Sequence, residues 1–246
     1  MFEINIISII ETFLPTTSYT LMGYGVELKT NLQRAVSRAS VATKEYHMAI
    51  GVLILAAGRS ERMKSDKRLL PWRNTTLIEH AIALCNQVGL ESAVALSDSH
   101  KDDAIHTRLS KSATVLLRVP GAEEGMGATI ANSVVQLPSH WTGVLIHLCD
   151  MPLVTGNTLQ AMAAALAEYR IVIPSYVEKW GNPRGFDRSL WSDLEQLSGD
   201  VGAKELIERN RDQVFVCETT NSGVLIDLDD RATYELWHRL EQENDQ

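Results

Sequence analysis

The sequence predicts an α/β protein of three layers, with helices on both faces of a mostly parallel central sheet. Two continuous apolar runs, GVLILAA at Gly51–Ala57 and GVLIHL at Gly143–Leu148, have the composition of strands buried on both faces. Helical periods alternate with strand-like runs over most of the chain, as successive parallel crossovers require.

After the first strand comes a glycine-containing loop, then Thr76–Val88, where Leu77, Ile78, Ala81, Cys85 and Val88 recur at helical spacing and Gly89 supplies a stop. Ser92–Leu96 reads as a strand, Asp102–Ser110 as a short helix and Ala113–Val119 as a strand. Ala128–Leu137 reads as a helix and Gly143–Leu148 as the second buried strand, followed by the Ala-rich helix Thr155–Tyr169 and the strand Ile171–Pro174. Helices over Ser189–Leu197 and Ala203–Asn210, strands over Val214–Cys217 and Val224–Leu228, and a last helix over Asp230–Glu243 complete the series. There is no internal repeat.

Residues 1–47 stand apart from this alternation. Phe2–Leu14 is mostly apolar but lacks a basic leading segment, and Gln33–Lys44 carries Arg34 and Arg38 among Ser, Ala and Val, a composition similar to a transit peptide. The expected organisation is an N-terminal extension over residues 1–47, either an appended leader or mis-called start or a real accessory or targeting segment, and a domain over residues 48–246 beginning at Met48. The 246 residues carry a formal net charge of -8, which disfavours nucleic acid and anionic lipid as partners. No stretch approaches the ~20 apolar residues of a membrane span, so a cytoplasmic location is expected. Cys85, Cys149 and Cys217 are odd in number and far apart, which argues against disulfides or a zinc site. The seven histidines show no metal-ligand spacing.

The densest chemistry lies in LAAGRSERMKSDKRLLPW, Leu55 to Trp72. A buried strand ends at Ala57 and Gly58 opens a tight loop, so the backbone amides of Leu55, Ala56, Ala57, Gly58, Arg59 and Ser60 can approach an anion closely. Arg59, Arg62, Lys67 and Arg68 add cations. A triphosphate needs both amides and cations, and open α/β sheets bind ligands at the carboxyl ends of their strands. Neither the Walker A pattern nor GxGxxG is present.

The pattern LAAG-R-S-x-R-M-x-x-x-K resembles the signature of the nucleotidyltransferases related to the molybdenum cofactor enzymes, and the resemblance runs from about Ile50 to Glu243. It implies a three-layer, Rossmann-like nucleotidyltransferase fold and an Mg2+-dependent transfer from an NTP. Within that family, Ala-Ala-Gly followed by LLPW is most similar to the molybdenum cofactor cytidylyltransferases; the guanylyltransferases usually carry Ala-Gly-Gly, so Ala57 favours CTP over GTP.

Further on, Glu124–Ile130 places Gly125 and Gly127 before a helix N-terminus, where a ligand meets free amides. The cytidylyltransferases have a similar EGM-S-x-S segment lining the nucleotide and acceptor site; here Gly127 and Thr129 replace the two serines, and only Thr129 keeps a hydroxyl. Asp150, closing a buried strand two residues before Pro152, is suited to hold Mg2+, which takes one or two carboxylates besides water and phosphate oxygens. Gly181–Phe186 resembles the family's G-H-P-x-x-F element with Asn182 in place of His, and Arg184 offers a phosphate clamp. Ser198–Lys204 matches S-G-D-x-G-A-R/K, in the region where the resemblance places the acceptor, which brings Lys204 into the acceptor set. Ile226–Asp229 resembles a terminal I-D-x-D strand whose alternation would send Asp227 and Asp229 to one face; either supplies the second metal carboxylate, and Asp229 is favoured.

The expected enzyme is therefore a CTP:molybdopterin cytidylyltransferase, with Arg62, Lys67 and Asp150 catalytic, Asp150 and Asp229 on the metal, and Thr129, Asn182, Arg184 and Lys204 facing the acceptor. Its product would serve a molybdenum hydroxylase or that enzyme's chaperone. Two other readings fit the same residues: a guanylyltransferase or other NTP pyrophosphorylase, and a non-catalytic protein that delivers cofactor.

Overall fold

The computed structural model describes residues 49–58 and 66–244. The expectations for residues 1–48 and for Arg59, Ser60 and Arg62 lie outside the described residues.

The chain enters the sheet at β1 (Ile50–Leu55), an unbroken apolar run. A two-strand hairpin, β2 (Pro71–Trp72) and β3 (Thr75–Thr76), then leads into helix α1 (Leu77–Gln87). Glu79 secures that helix start by accepting the Thr76 backbone N–H at 3.2 Å and the Thr76 hydroxyl at 2.6 Å. β4 (Ser92–Ser97), helix α2 (Asp103–Leu109) and β5 (Val115–Val119) follow, then helix α3 (Met126–Val134), β6 (Gly143–Leu148) and helix α4 (Gly156–Leu166). The second half adds β7 (Ile171–Tyr176), β8 (Lys179–Trp180), β9 (Arg184–Asp187), the short helices α5 (Trp191–Leu194) and α6 (Lys204–Arg209), β10 (Val214–Glu218) and helix α7 (Arg231–Asn244).

The main sheet has the order β10-β7-β9-β6-β1-β4-β5, with β8 paired to β7 outside that path. β1 lies parallel to both β4 and β6, β4 to β5, and β7 to β10. β9 runs antiparallel between β6 and β7. The sheet is thus mostly parallel, as the alternation of the sequence predicts.

Each face of the sheet is closed by its own apolar layer. On one, Leu53, Val144, Ile146, Ile173 and Phe186 pack with Ile130 and Val134 of α3, Leu194 of α5 and Leu206 of α6. On the other, Val52, Ile54, Leu145 and Val172 meet α1 through Ile78 and Cys85, α2 through Ile105, and α4 through Leu159 and Met162. The apolar side chains alternate between the layers along each strand, as a period of two dictates. A smaller cluster of Trp72, Leu77, Leu228 and Tyr234 fastens the hairpin to α7.

Two expectations need correction. Val224–Leu228 is not a strand: Ser222–Leu225 is a 3-10 turn, and the residues after it are irregular. Its polar backbone is divided between two segments, since Asn182 N–H donates to Val224 O at 2.9 Å and Leu228 N–H donates to Asp150 O at 2.9 Å. A strand needs repeated bonds to one neighbour. Likewise, Ser189–Leu197 is a 3-10 turn at Arg188–Leu190 running into the four-residue α5, not one helix. The sequence also hides the hairpin, β8 and β9, which are too short for periodicity to register.

Candidate active site

The carboxyl ends of β1 and β6 open into a cavity of about 620 Å3. Leu55, Ala56, Ala57 and Gly58 line one wall, Gly125, Met126 and Thr129 at the start of α3 a second, and Asp150, Asp227 and Asp229 a third, with Lys67 and Arg68 between. This is where a mostly parallel sheet presents its ligands.

Two adjacent cations have different surroundings. Lys67 Nζ forms a hydrogen-bonded ion pair with Asp150 and another with Asp229 at 3.1 Å. Burial alone would lower the Lys67 pKa, but the two carboxylates outweigh it and the net shift is upward, so the ammonium stays charged. Arg68 is turned into the protein. Its guanidinium forks onto Asp102 at 2.7 and 2.9 Å, meets Asp66 at 2.7 and 2.8 Å, and donates to Ala56 O at 2.7 Å. Arg68 and Asp102 are 8% and 3% exposed, so this bidentate pair anchors the end of β1 to the start of α2. Burial opposes the charge on Arg68, yet its carboxylate partners raise the pKa well above the usual arginine value. The cation counted among the phosphate ligands is therefore used inside the fold. Asp66 could have been suspected from its spacing to Arg68; Asp102, thirty-four positions away, leaves no local signal.

The two candidate metal carboxylates meet through backbone stitching. The bond from Leu228 N–H to Asp150 O brings the C-terminal segment against the end of β6, and Asp150 and Asp229 then converge on one ammonium. Asp227 also lines the cavity, with its pKa raised by burial and by the neighbouring Asp229 and Asp150. Among the described residues no three His, Cys, Asp or Glu side chains are grouped to hold a metal by themselves. Two converging carboxylates fit Mg2+, which completes its shell with water and phosphate oxygens.

The start of α3 is occupied from within. Gly127 N–H donates to Gly199 O at 2.7 Å, and Met126 N–H donates to Asp200 Oδ1 at 3.3 Å. The approach is so close that a Cβ on Gly127 would stand 2.5 Å from Ser198 O. Gly125 has φ +127, which only glycine adopts without strain. Thr129 lines the cavity, and its hydroxyl donates back to Gly125 O at 2.9 Å. Asp200, on the cavity wall, was not among the residues expected there.

The remaining acceptor candidates lie elsewhere. Lys204 is exposed at the first position of α6 and does not line the cavity. Half-buried Asn182, joined to Pro183 by a cis peptide bond, and Arg184 at the start of β9 lie beside β6 without lining the cavity.

A family model for the MobA-like NTP transferase domain matches residues 52–214, more than half of the chain. The chain belongs to this family. It is a nucleotidyltransferase. The family's architecture also recurs in solved structures. The protein Rv0371c of Mycobacterium tuberculosis H37Rv is similar at 26% identity, over 78% of this chain and 98% of that one, with a TM-score of 0.70. A manganese complex of that protein matches at 23% identity over 78% and 98%, TM-score 0.67. A nucleotidyl transferase from Methanothermobacter thermautotroptrophicus matches at 18% identity over 80% and 99%, TM-score 0.66. Among the described residues, no helix of this family member is long and apolar enough to cross a membrane.

Proposed function

We propose that this nucleotidyltransferase moves cytidine monophosphate from CTP onto the terminal phosphate of molybdopterin, releasing pyrophosphate. The observation that carries the reading is the convergence of Lys67, Asp150 and Asp229 beside the Ala56–Gly58 backbone, in one cavity at the carboxyl edge of the sheet.

In this reading Asp150 and Asp229 would hold Mg2+, which when bound neutralises charge on the transferring phosphoryl group. The Ala57 and Gly58 amides would donate to phosphate oxygens, and Arg59, Ser60 and Arg62 are the further nucleotide contacts that the sequence pattern assigns. Lys67 supplies a fixed positive charge next to the same oxygens, and its raised pKa keeps it protonated at neutral pH. The acceptor's terminal phosphate attacks the α-phosphorus in line, the bond to the pyrophosphate oxygen breaks, and the leaving group departs as an anion. The nucleophile is already an anion, so no general base is required and Asn182 in place of a histidine is tolerated. Positioning and charge neutralisation supply the rate.

The cytosine assignment rests on Ala57 and on the LLPW segment. Ala57 is 8% exposed and belongs to the layer that holds Leu53 and Ala95, so its methyl contributes to core packing as well as to the cavity wall. A methyl in a tight pocket discriminates by about 10–200-fold; the expected preference for CTP over GTP is at least about ten-fold in kcat/KM, and Ala57→Gly should narrow it. The test is pyrophosphate release with each NTP, with and without purified molybdopterin. A preference for GTP or ATP would move the assignment to another member of the family's chemistry. Residues 1–47 contribute no catalytic group in this reading, so a chain beginning at Met48 should keep its turnover.

A further inference from the structure

β1 ends at Leu55, and the next three residues, Ala56, Ala57 and Gly58, form a wall of the cavity. The Ala56 N–H still donates to Ala95 O of β4 at 3.1 Å. Its carbonyl accepts from Arg68 Nη1 at 2.7 Å. That carbonyl and the Ala57 N–H belong to one peptide unit, which is planar and trans, so the two groups point in opposite directions. Arg68, by holding Ala56 O, therefore aims the Ala57 N–H away from itself.

The same guanidinium grips the turn that carries Lys67. Asp66 caps the 3-10 turn Lys67–Leu69 by accepting the Arg68 backbone N–H at 3.1 Å, and it also accepts Arg68 Nε at 2.8 Å and Nη2 at 2.7 Å. Lys67, the first residue of that turn, extends its ammonium to Asp150 and Asp229. Asp102 braces the guanidinium through Nη1 at 2.9 Å and Nη2 at 2.7 Å, and itself accepts the Ser97 N–H at 2.8 Å from the end of β4. These bonds engage all five donors of the guanidinium. Arg68 lines the cavity, yet no donor is left over for a phosphate. One buried side chain thus ties the start of the amide cradle to the turn of Lys67 and to the end of β4.

We propose that Arg68 is a positioning residue for nucleotide binding: braced by Asp102, it sets the direction of the Ala57 amide and the place of Lys67 relative to it, without touching the phosphates. The proposal rests on the reading of the cavity as the nucleotide site. Guanidinium suits the role because its rigid planar fork fixes several acceptors in one geometry, which a lysine ammonium on a flexible stem does not. An amide and an ammonium that share phosphate oxygens must keep their separation, and a displacement of about 1 Å costs on the order of a hundred-fold in rate.

The probes are non-hydrolysable analogues of CTP and of GTP, each titrated calorimetrically with Mg2+ into the full chain as wild type, Arg68→Lys and the double variant Arg68→Met/Asp102→Asn. The double variant removes both charges of the buried pair and leaves an amide oxygen for the Ser97 N–H, so its melting temperature should stay near that of wild type. Both variants are expected to bind the analogue that wild type prefers about ten-fold or more weakly, with the stoichiometry unchanged. A role in stability alone would lower the melting temperature or the fraction of protein that binds, and leave the Kd of that fraction at the wild-type value. A wild-type Kd in a folded double variant would therefore overturn the proposal. A wild-type Kd in Arg68→Lys would overturn it as well, because charge without the fork would then suffice. A double variant that does not fold would make the pair structural and count against the proposal equally. A wild type that binds neither analogue would sink the reading of the cavity as the nucleotide site, and the proposal with it. A wild type that prefers the GTP analogue would overturn the cytosine reading alone, and the ratio of wild-type to variant Kd for GTP would then decide the role of Arg68.

Discussion

Arg68 and Arg184 carry the same guanidinium into two parts of one sheet, with opposite surroundings. Below the end of β1, Arg68 has two carboxylates within 2.7 Å and a backbone carbonyl at the same distance. At the start of β9, half-buried Arg184 has no ion pair among the described residues, and its Nε has no hydrogen-bond partner there. The first region closes its charges on itself and becomes architecture. The second leaves a half-buried charge without a counterion among the described residues. Buried charge is therefore not one signal, and the partner set is what identifies an anchor.

The sharpest way to break this contrast is Arg68→Ala. It leaves Asp102, 3% exposed, without its cation, and removing one partner of a buried pair costs about 3–5 kcal/mol. A urea melt should show a loss of that size, whereas the same melt on Arg184→Met should show none.

His147 extends the comparison to a neutral group. It is fully buried, neither ring nitrogen has a partner among the described residues, and burial, then the nearby His80, push its pKa down to about 4. The unfolded chain has the ordinary value of 6.5 and so binds more protons between those limits. The stability that goes with neutral burial is full above pH 6.5 and is lost as pH falls toward 4, by about 1.4 kcal/mol per pH unit. His147→Leu should flatten this acid limb in melts taken across the window.

Gly127→Ser comes next. The new Cβ would press on Ser198 O at 2.5 Å, so a loss of about 1–3 kcal/mol is expected, visible as a lower melting temperature. A serine accepted without loss would mean that residues 198–200 yield easily. The smallest effect is Arg184→Met, which removes an unpaired cation and should be neutral or stabilising by up to about 1 kcal/mol.

What the sequence reveals follows the range of the forces involved. The buried strands β1 and β6, the helix carrying Ile78, Ala81 and Cys85, and the order of parallel crossovers are written in local periodicity, and the structure has them. The family signature at Leu55–Lys67 is likewise local, and the family match agrees with it. Legibility ends where a residue's role depends on a distant partner. The sequence reads Arg68 as one more phosphate cation because Asp102 is remote. It reads Val224–Leu228 as a strand because the segment is apolar, although its backbone bonds go to Asn182 and Asp150. The surroundings of Arg184 are set by β6 and β7 across β9, which is too short to be seen beforehand.

The central claim is that Asp150, converging with Asp229 on Lys67, carries nucleotidyl transfer in this cavity. Its most direct test is the rate of pyrophosphate release from CTP with molybdopterin and Mg2+, compared between wild type and Asp150→Asn under saturating nucleotide. Because charge stabilisation at such a metal amounts to several kcal/mol, the account predicts a fall of about a thousand-fold or more, with the melting temperature little changed. A folded Asp150→Asn protein that releases pyrophosphate at close to the wild-type rate would contradict it.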